Sequence, residues 1–279
     1  MSTRRDFISM AGCAALTPLL RAETPQERGR KVIADTIHAL GGDGFRQMTT
    51  RSESGRAYSF YREEINGLSI ARYYTKYLPA DEKGTLRQSQ RQSFGKKEEN
   101  WVLLTGKDSW DVTFRGARKL PEERMQQYRE STLRDIFYIL RIRIDEPGLI
   151  FETRARDVVE NQSVEVVDVV DADNRKLTVF INANTHLPVK QTFQRWDANI
   201  NDRRDEVTRF TKYREAGNGV MWPYDVQRER DKERLSQLYS DKIVIGETLD
   251  PGMFELPPGM KIIEKKVRQL GPVPQSPGG

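Results

Sequence analysis

From residue 48 onward the chain alternates apolar and polar positions with a period of two for most of its length, which predicts strands with one buried face. The alternating segments lie at 56–65, 68–78, 85–94, 101–105 and 109–115, and again at 149–160, 163–170, 176–182, 187–196, 205–214, 220–229 and 239–247. Asn66-Gly67 tolerates the positive φ angles of a tight turn and predicts a hairpin between the first two. In 109–115, Trp110, Val112 and Phe114 share one face, and Asp111, Thr113 and Arg115 take the other. In 220–229, Val220, Trp222, Tyr224 and Val226 alternate with Met221, Pro223, Asp225 and Gln227.

Two helical patterns interrupt the strands. Thr24-Pro25-Gln26-Glu27 reads as a capping box with proline at the first helical position. Val32, Ile33, Ile37 and Leu40 then fall on one stripe, and Gly41-Gly42 ends the helix. Further on, LPEERMQQYRESTLRDIFYILRIRI opens with Pro121 and two glutamates, and Met125, Tyr128, Leu133, Ile136, Phe137 and Leu140 recur at helical spacing. This helix breaks into a run of strands instead of alternating with them. The pattern therefore predicts an α+β, mainly β fold, an antiparallel sheet with helices on one face, over a parallel βαβ plan. With no internal repeat and no linker, one domain is expected over 23–262, followed by a flexible tail over 263–279 (GPVPQSPGG at its end).

The first 22 residues read as an export signal. Arg4 and Arg5 form a charged segment ahead of an apolar run that is too short to span a membrane, and TRRDFIS resembles a twin-arginine signal. Ala22 offers a small residue at a cleavage boundary. Met10-Ala11-Gly12-Cys13 offers the alternative, a lipobox that would leave Cys13 lipidated and the chain membrane-anchored.

Composition narrows the chemistry. Apolar residues make up 37% and charged residues 31%, which fits a sheet with much of its surface wet. The single Cys lies inside the signal, so the remainder carries no disulfide, thiol nucleophile or Cys-ligated metal. The net charge of +5 is a weak excess, with basic residues interleaved among acids as in RRDEVTR and RERDKER, and no nucleic-acid partner is expected. His38 and His186 stand without neighbouring ligand or nucleophile patterns, and there is no phosphate-cradling glycine loop, GxSxG or HExxH. Asp168, Asp171 and Asp173 in DVVDADN lack the glycine and glutamate of a calcium loop and read as a solvated hairpin turn. Glu63-Glu64 and Glu98-Glu99 are adjacent and would point to opposite strand faces. No catalysis, cofactor or metal is expected.

Three stretches in order carry a family resemblance: VFINANTHLPVKQ (179–191), like the family's Asp-x-x-Thr-x-Leu-Pro hairpin but with Asn182 in place of the acid; GVMWPYDV (219–226); and TLDPGMFELP (248–257). Together with the element order, they make residues 26–258 resemble the LolA-like superfamily of periplasmic lipoprotein carriers, also called outer-membrane lipoprotein-sorting proteins. The resemblance implies a strongly curved, unclosed antiparallel β-barrel whose concave face is covered by helices, with an apolar hollow between. It also implies a monomeric periplasmic carrier that binds lipid acyl chains or lipoproteins, with an envelope membrane protein as a further partner. The alternative is an envelope sensor or interaction module of the same fold. Candidate lining residues are Ile136, Phe137 and Leu140 on the lid helix and Trp110, Val112, Phe114, Trp222 and Tyr224 on the sheet.

Overall fold

The computed structural model describes residues 22–79, 86–106, 108–197 and 200–264. The signal residues Arg4 and Arg5, Cys13 and most of the expected tail lie outside them. The chain opens with α1 (Pro25–Ala39), whose capping box is formed as expected, Thr24 and Glu27 each accepting from the other's backbone N–H. A short α2 (Asp43–Gln47) follows.

Fourteen strands then build one antiparallel sheet. They are β1 (Thr50–Tyr61), β2 (Glu64–Tyr77), β3 (Gln88–Phe94), β4 (Asn100–Leu104), β5 (Ser109–Thr113) and β6 (Gly116–Lys119), then β7 (Ile150–Thr153), β8 (Asp157–Val159), β9 (Gln162–Val170), β10 (Lys176–Asn182), β11 (Pro188–Asp197), β12 (Asp202–Glu215), β13 (Met221–Arg230) and β14 (Glu233–Ile245). The spatial order is β6-β5-β4-β3-β2-β1-β14-β13-β12-β11-β10-β9-β7, with β8 also on β9. Two meanders are thus joined by one long-range pairing, β1 against β14, and β6 and β7 do not meet.

Between β6 and β7 lie α3 (Glu122–Leu133), α4 (Ile136–Tyr138) and a π-helical turn (Ile139–Arg143). The single helix expected here is broken because the Asp135 carboxylate accepts from the N–H groups of Phe137 (2.8 Å) and Tyr138 (3.2 Å) and starts a new helix. These helices fix the curvature of the sheet. The Tyr138 hydroxyl accepts from the Arg87 N–H at the entry to β3 (2.9 Å), while the Ile136 N–H donates to Gln191 of β11 (3.0 Å). In a flat sheet β3 and β11 would stand roughly 29 Å apart, yet both reach the same helical turn. The sheet therefore curls around the helices as an open half-barrel.

Several local expectations are corrected. The β1–β2 turn is Arg62-Glu63, both with positive φ (50° and 65°), and not Asn66-Gly67. Asn66 is instead the extra residue of a bulge, since Ser59 pairs with Gly67 while Phe60 pairs with Ile65. At Gly67 a Cβ would lie 2.4 Å from the Ser59 hydroxyl, which would have to rotate away. The segment 149–160 divides into β7 and β8, and β6 was not anticipated. Asp171 is not solvated. It is buried, and it accepts from Arg143 (2.9 Å), from Arg175 (3.2 Å) and from the N–H groups of Asp173 and Arg175.

The strand register sorts side chains onto two faces. The concave face and the helices share the main core, including Ile33, Phe45, Ile136, Phe137, Leu140, Val179, Phe210, Trp222 and Ile243. A second core of Trp101, Leu103, Val112, Ala117 and Phe254 forms around β4 to β6 and is packed by Leu249, Met253, Leu256 and Met260 from the segment after β14, which includes a short 3₁₀ turn (Pro251–Phe254). That segment runs on to the edge strand β6, where the Ala117 N–H donates to Lys261 O and the Ile263 N–H donates to Ala117 O, each at 2.8 Å.

Two consequences for stability are measurable. A Cβ at Gly29 would meet the Phe151 carbonyl oxygen at 2.4 Å, so α1 lies directly on β7, and Gly29→Val should lower stability by about 1–3 kcal/mol in urea unfolding. Burial alone would raise the Asp171 carboxyl, but the Arg175 N–H and the Arg143 and Arg175 guanidiniums outweigh it and hold it below the ordinary range. Stability from this group is present above the unfolded pKa, roughly 3.9, and is lost as pH falls through the depressed folded value. At pH 7 Asp171→Asn should cost about 3 kcal/mol, because Arg143 stays buried without this counter-charge. The gap to the wild type should narrow as unfolding is repeated at pH 4 and below.

Candidate functional site

Between α3, α4 and the concave face lies a hollow of about 340 Å³. The helices contribute Tyr128, Ser131, Thr132, Asp135, Phe137 and Tyr138 as a roof. The sheet contributes Arg51, Glu53 and Ala57 from β1, Tyr73 and Tyr77 from β2, Gln88, Gln90 and Gln92 from β3, Phe210 from β12, and Trp222, Val226 and Arg228 from β13. Residues two or four apart on one strand enter the same space because the strand period is two.

At the base, Phe137 packs edge-on against Phe210 (centroids 5.0 Å) and lies 4.6 Å from the Trp222 ring. The Arg51 guanidinium stacks on the other partner of this cluster, 4.2 Å from the Trp222 centroid, and donates to the Tyr77 hydroxyl (3.3 Å) and the Thr75 hydroxyl (3.4 Å). Glu53 is buried, accepts from the Ser240 hydroxyl at 2.6 Å and stands 3.7 Å from Arg51 Nε. Gln88 donates to the Tyr128 hydroxyl at 3.0 Å. Along β13, the lining passes from buried Trp222 through half-buried Val226 to exposed Arg228, so the hollow opens at the Arg228 end.

The titrating groups follow from this enclosure. Burial pushes the Tyr73 phenol up to about 12, against the Arg228 charge, and burial likewise pushes Tyr128 up to about 12. Burial raises the Asp135 carboxyl, opposed by the Tyr138 N–H and by the charges of Arg228 and Arg51. At neutral pH these phenols are neutral hydrogen-bond donors, not bases. The lining contains no His, Cys or Lys, and the described residues hold no group of three His, Cys, Asp or Glu suited to a metal ion. What the arrangement offers is an aromatic base, guanidinium and amide donors, and an open end.

The residues expected from sequence are dispersed. Phe137 and Trp222 line the hollow. Ile136, Leu140 and Tyr224 are buried in the main core without lining it. Val112 and Trp110 belong to the second core, on the opposite face of the sheet, because the β3–β4–β5 register turns Gln90 and Gln92 to the hollow and Trp101, Leu103, Trp110 and Val112 away from it. Phe114 is 82% exposed and borders a separate depression with Asp111, Arg115 and Arg118. The hollow is also more polar than the apolar one that the resemblance implied. Arg51, Glu53, Asp135, Arg228 and the three glutamines of β3 were missed, although the polar alternation of Gln88, Gln90 and Gln92 is visible in the sequence once both faces of the sheet are known to be occupied.

Among the described residues no helix is long and apolar enough to cross a membrane. Neither a protein-family model nor a curated protein matches the sequence. Solved structures do match in shape. A Vibrio parahaemolyticus domain described as an outer membrane lipoprotein-sorting protein shares 11% identity at TM-score 0.54, over 82% of this chain and 97% of that one. A DUF1329 family protein from Desulfovibrio piger shares 10% identity at TM-score 0.57, over 83% and 98%. A LolA superfamily protein from Nitrosomonas europaea shares 12% identity at TM-score 0.47, over 82% and 97%. At these identities the likeness concerns fold, and the first two cover nearly their whole length: the chain has the half-barrel fold of the lipoprotein-sorting domains, as its three sequence stretches led one to expect.

Proposed function

We propose that this chain is an exported, periplasmic, non-catalytic binding protein that holds the acyl part of a lipid or lipoprotein in the hollow beneath α3 and α4. The observation that carries the reading is the gradient within one cavity, from the Phe137, Phe210 and Trp222 base to the Arg228 opening, which matches an amphiphile entering chain-first. The volume of about 340 Å³ lies near the small end of ligand cavities, roughly 300–1,000 Å³, and suits part of one chain better than several. Each methylene buried contributes about 0.8 kcal/mol, offset by the cost of ordering the chain and parting the roof. The fold of the lipoprotein-sorting domains supports the reading as analogy.

A second reading, an envelope interaction module, is supported by exposed apolar side chains outside the hollow. Ile65 and Leu68, each more than 60% exposed, lie at the β1–β2 hairpin end, with Tyr61, equally exposed, on the other face of the sheet. The Asn66 bulge places Ile65 and Leu68 on the same face, opposite Phe60 and Tyr58.

The readings separate in one titration. With 1-monolauroylglycerol followed by isothermal calorimetry, the carrier reading expects saturable binding that Val226→Trp weakens at least tenfold by filling the hollow, with little change in Tm. Failure of the wild type to bind either 1-monolauroylglycerol or dodecanoate, or equal binding by the variant, would sink it.

A further inference from the structure

The hollow holds two carboxylates and two guanidiniums, and three of the four are engaged within the protein. Glu53 accepts from Ser240 and faces Arg51; Asp135 caps α4; Arg51 is stacked on Trp222 and donates to Tyr77 and Thr75. Arg228 differs. Among the described residues its side chain makes no hydrogen bond and no ion pair, although its charge reaches Tyr73 and Asp135.

An exposed arginine is ordinarily just a solvated side chain. The surroundings of this one argue otherwise. At the same end of the sheet Arg195 and Arg230 share Glu206, Arg204 holds Asp197 and Asp231, and Arg209 holds Glu229 and Glu160. Four arginines of β11 to β13 are thus matched to acids; Arg203 reaches only Gln194 and Arg234 stacks on Phe60, and of the described arginines at this end without an acid Arg228 is the one that lines the cavity. Its cross-strand partner is Ser236, which lines the hollow too and whose hydroxyl is likewise unengaged. A guanidinium fork beside a hydroxyl, both donors, meets the geometry of a carboxylate or phosphate.

We infer that Arg228, with Ser236, binds the anionic head of an amphiphile, a carboxylate or phosphate, whose chain lies on the Phe137, Phe210 and Trp222 base. This rests on the carrier reading and narrows it to anionic ligands. A neutral lipid would enter the same hollow but leave the guanidinium unmatched, and a cationic one would be repelled.

The test is calorimetry at fixed ionic strength on the wild type, Arg228→Met and Arg228→Lys, with dodecanoate, dodecyl phosphate, 1-monolauroylglycerol and inorganic phosphate as probes. The wild type should bind dodecanoate and dodecyl phosphate at least tenfold more tightly than 1-monolauroylglycerol. Arg228→Met should abolish that preference by weakening dodecanoate and dodecyl phosphate at least tenfold, and Arg228→Lys should restore part of it. Inorganic phosphate should bind only weakly, which marks the anion as a lipid headgroup; binding as tight as that of dodecyl phosphate would overturn the headgroup assignment. Equal affinities for anionic and neutral probes, or a preference that survives Arg228→Met, would overturn the inference and leave the carrier reading intact. Failure of every probe to bind would remove both.

Discussion

Everything in this molecule depends on the pairing of β1 with β14. Each half of the sheet is a run of local hairpins that needs only its own turns, but the hollow needs both halves. The β1–β14 register sets Arg51 against Ile245 and Glu53 against Ile243, and a hydrogen bond between Ser240 and Glu53 closes a chain separation of 187 residues. A bulge on β14 adjusts the alternation so that Ser240 and Ile243 face the same interior. Once this seam is made, the helices between β6 and β7 have a concave surface to bury against, and their polar contacts to β3 on one side and β11 on the other hold the curl.

The helices do not seal this interior with grease alone. Asp135 breaks what would be one amphipathic helix, and the break creates a roof whose inner side carries Tyr128, Thr132 and Asp135 as well as Phe137. In a cavity with such walls each buried polar group must be matched or left wet. The hollow thus has an apolar end, at Phe137, Phe210 and Trp222, and hydrogen-bonding groups along the rest of its wall.

Much of the fold was legible in the sequence because period-two alternation and capping chemistry are local. The strand at 176–182, the Thr24–Glu27 box and the helical stripe at Met125 and Tyr128 are stated by their own residues. The hairpin turn was not, because Arg62-Glu63 carries no glycine or asparagine to betray its positive φ angles, while Asn66-Gly67 advertises a turn and serves a bulge. The site was less legible still. Alternation tells which residues share a face but not which face is concave, so Trp110 and Val112 were grouped with Trp222 although the sheet lies between them. Charges such as buried Glu53 and Asp171 and half-buried Arg51 look like surface residues until long-range partners are known.

The stretch after β14 has a bearing on how copies of this protein behave at high concentration. An open half-barrel has two rims, and a bare rim is a row of unpaired amides on which another molecule can grow. At β7 the close seat of α1 shields the rim; at β6 the returning backbone of Lys261 and Ile263 occupies the donor and acceptor of Ala117. This stretch is therefore a hem: it stops the fabric from being sewn to its neighbour.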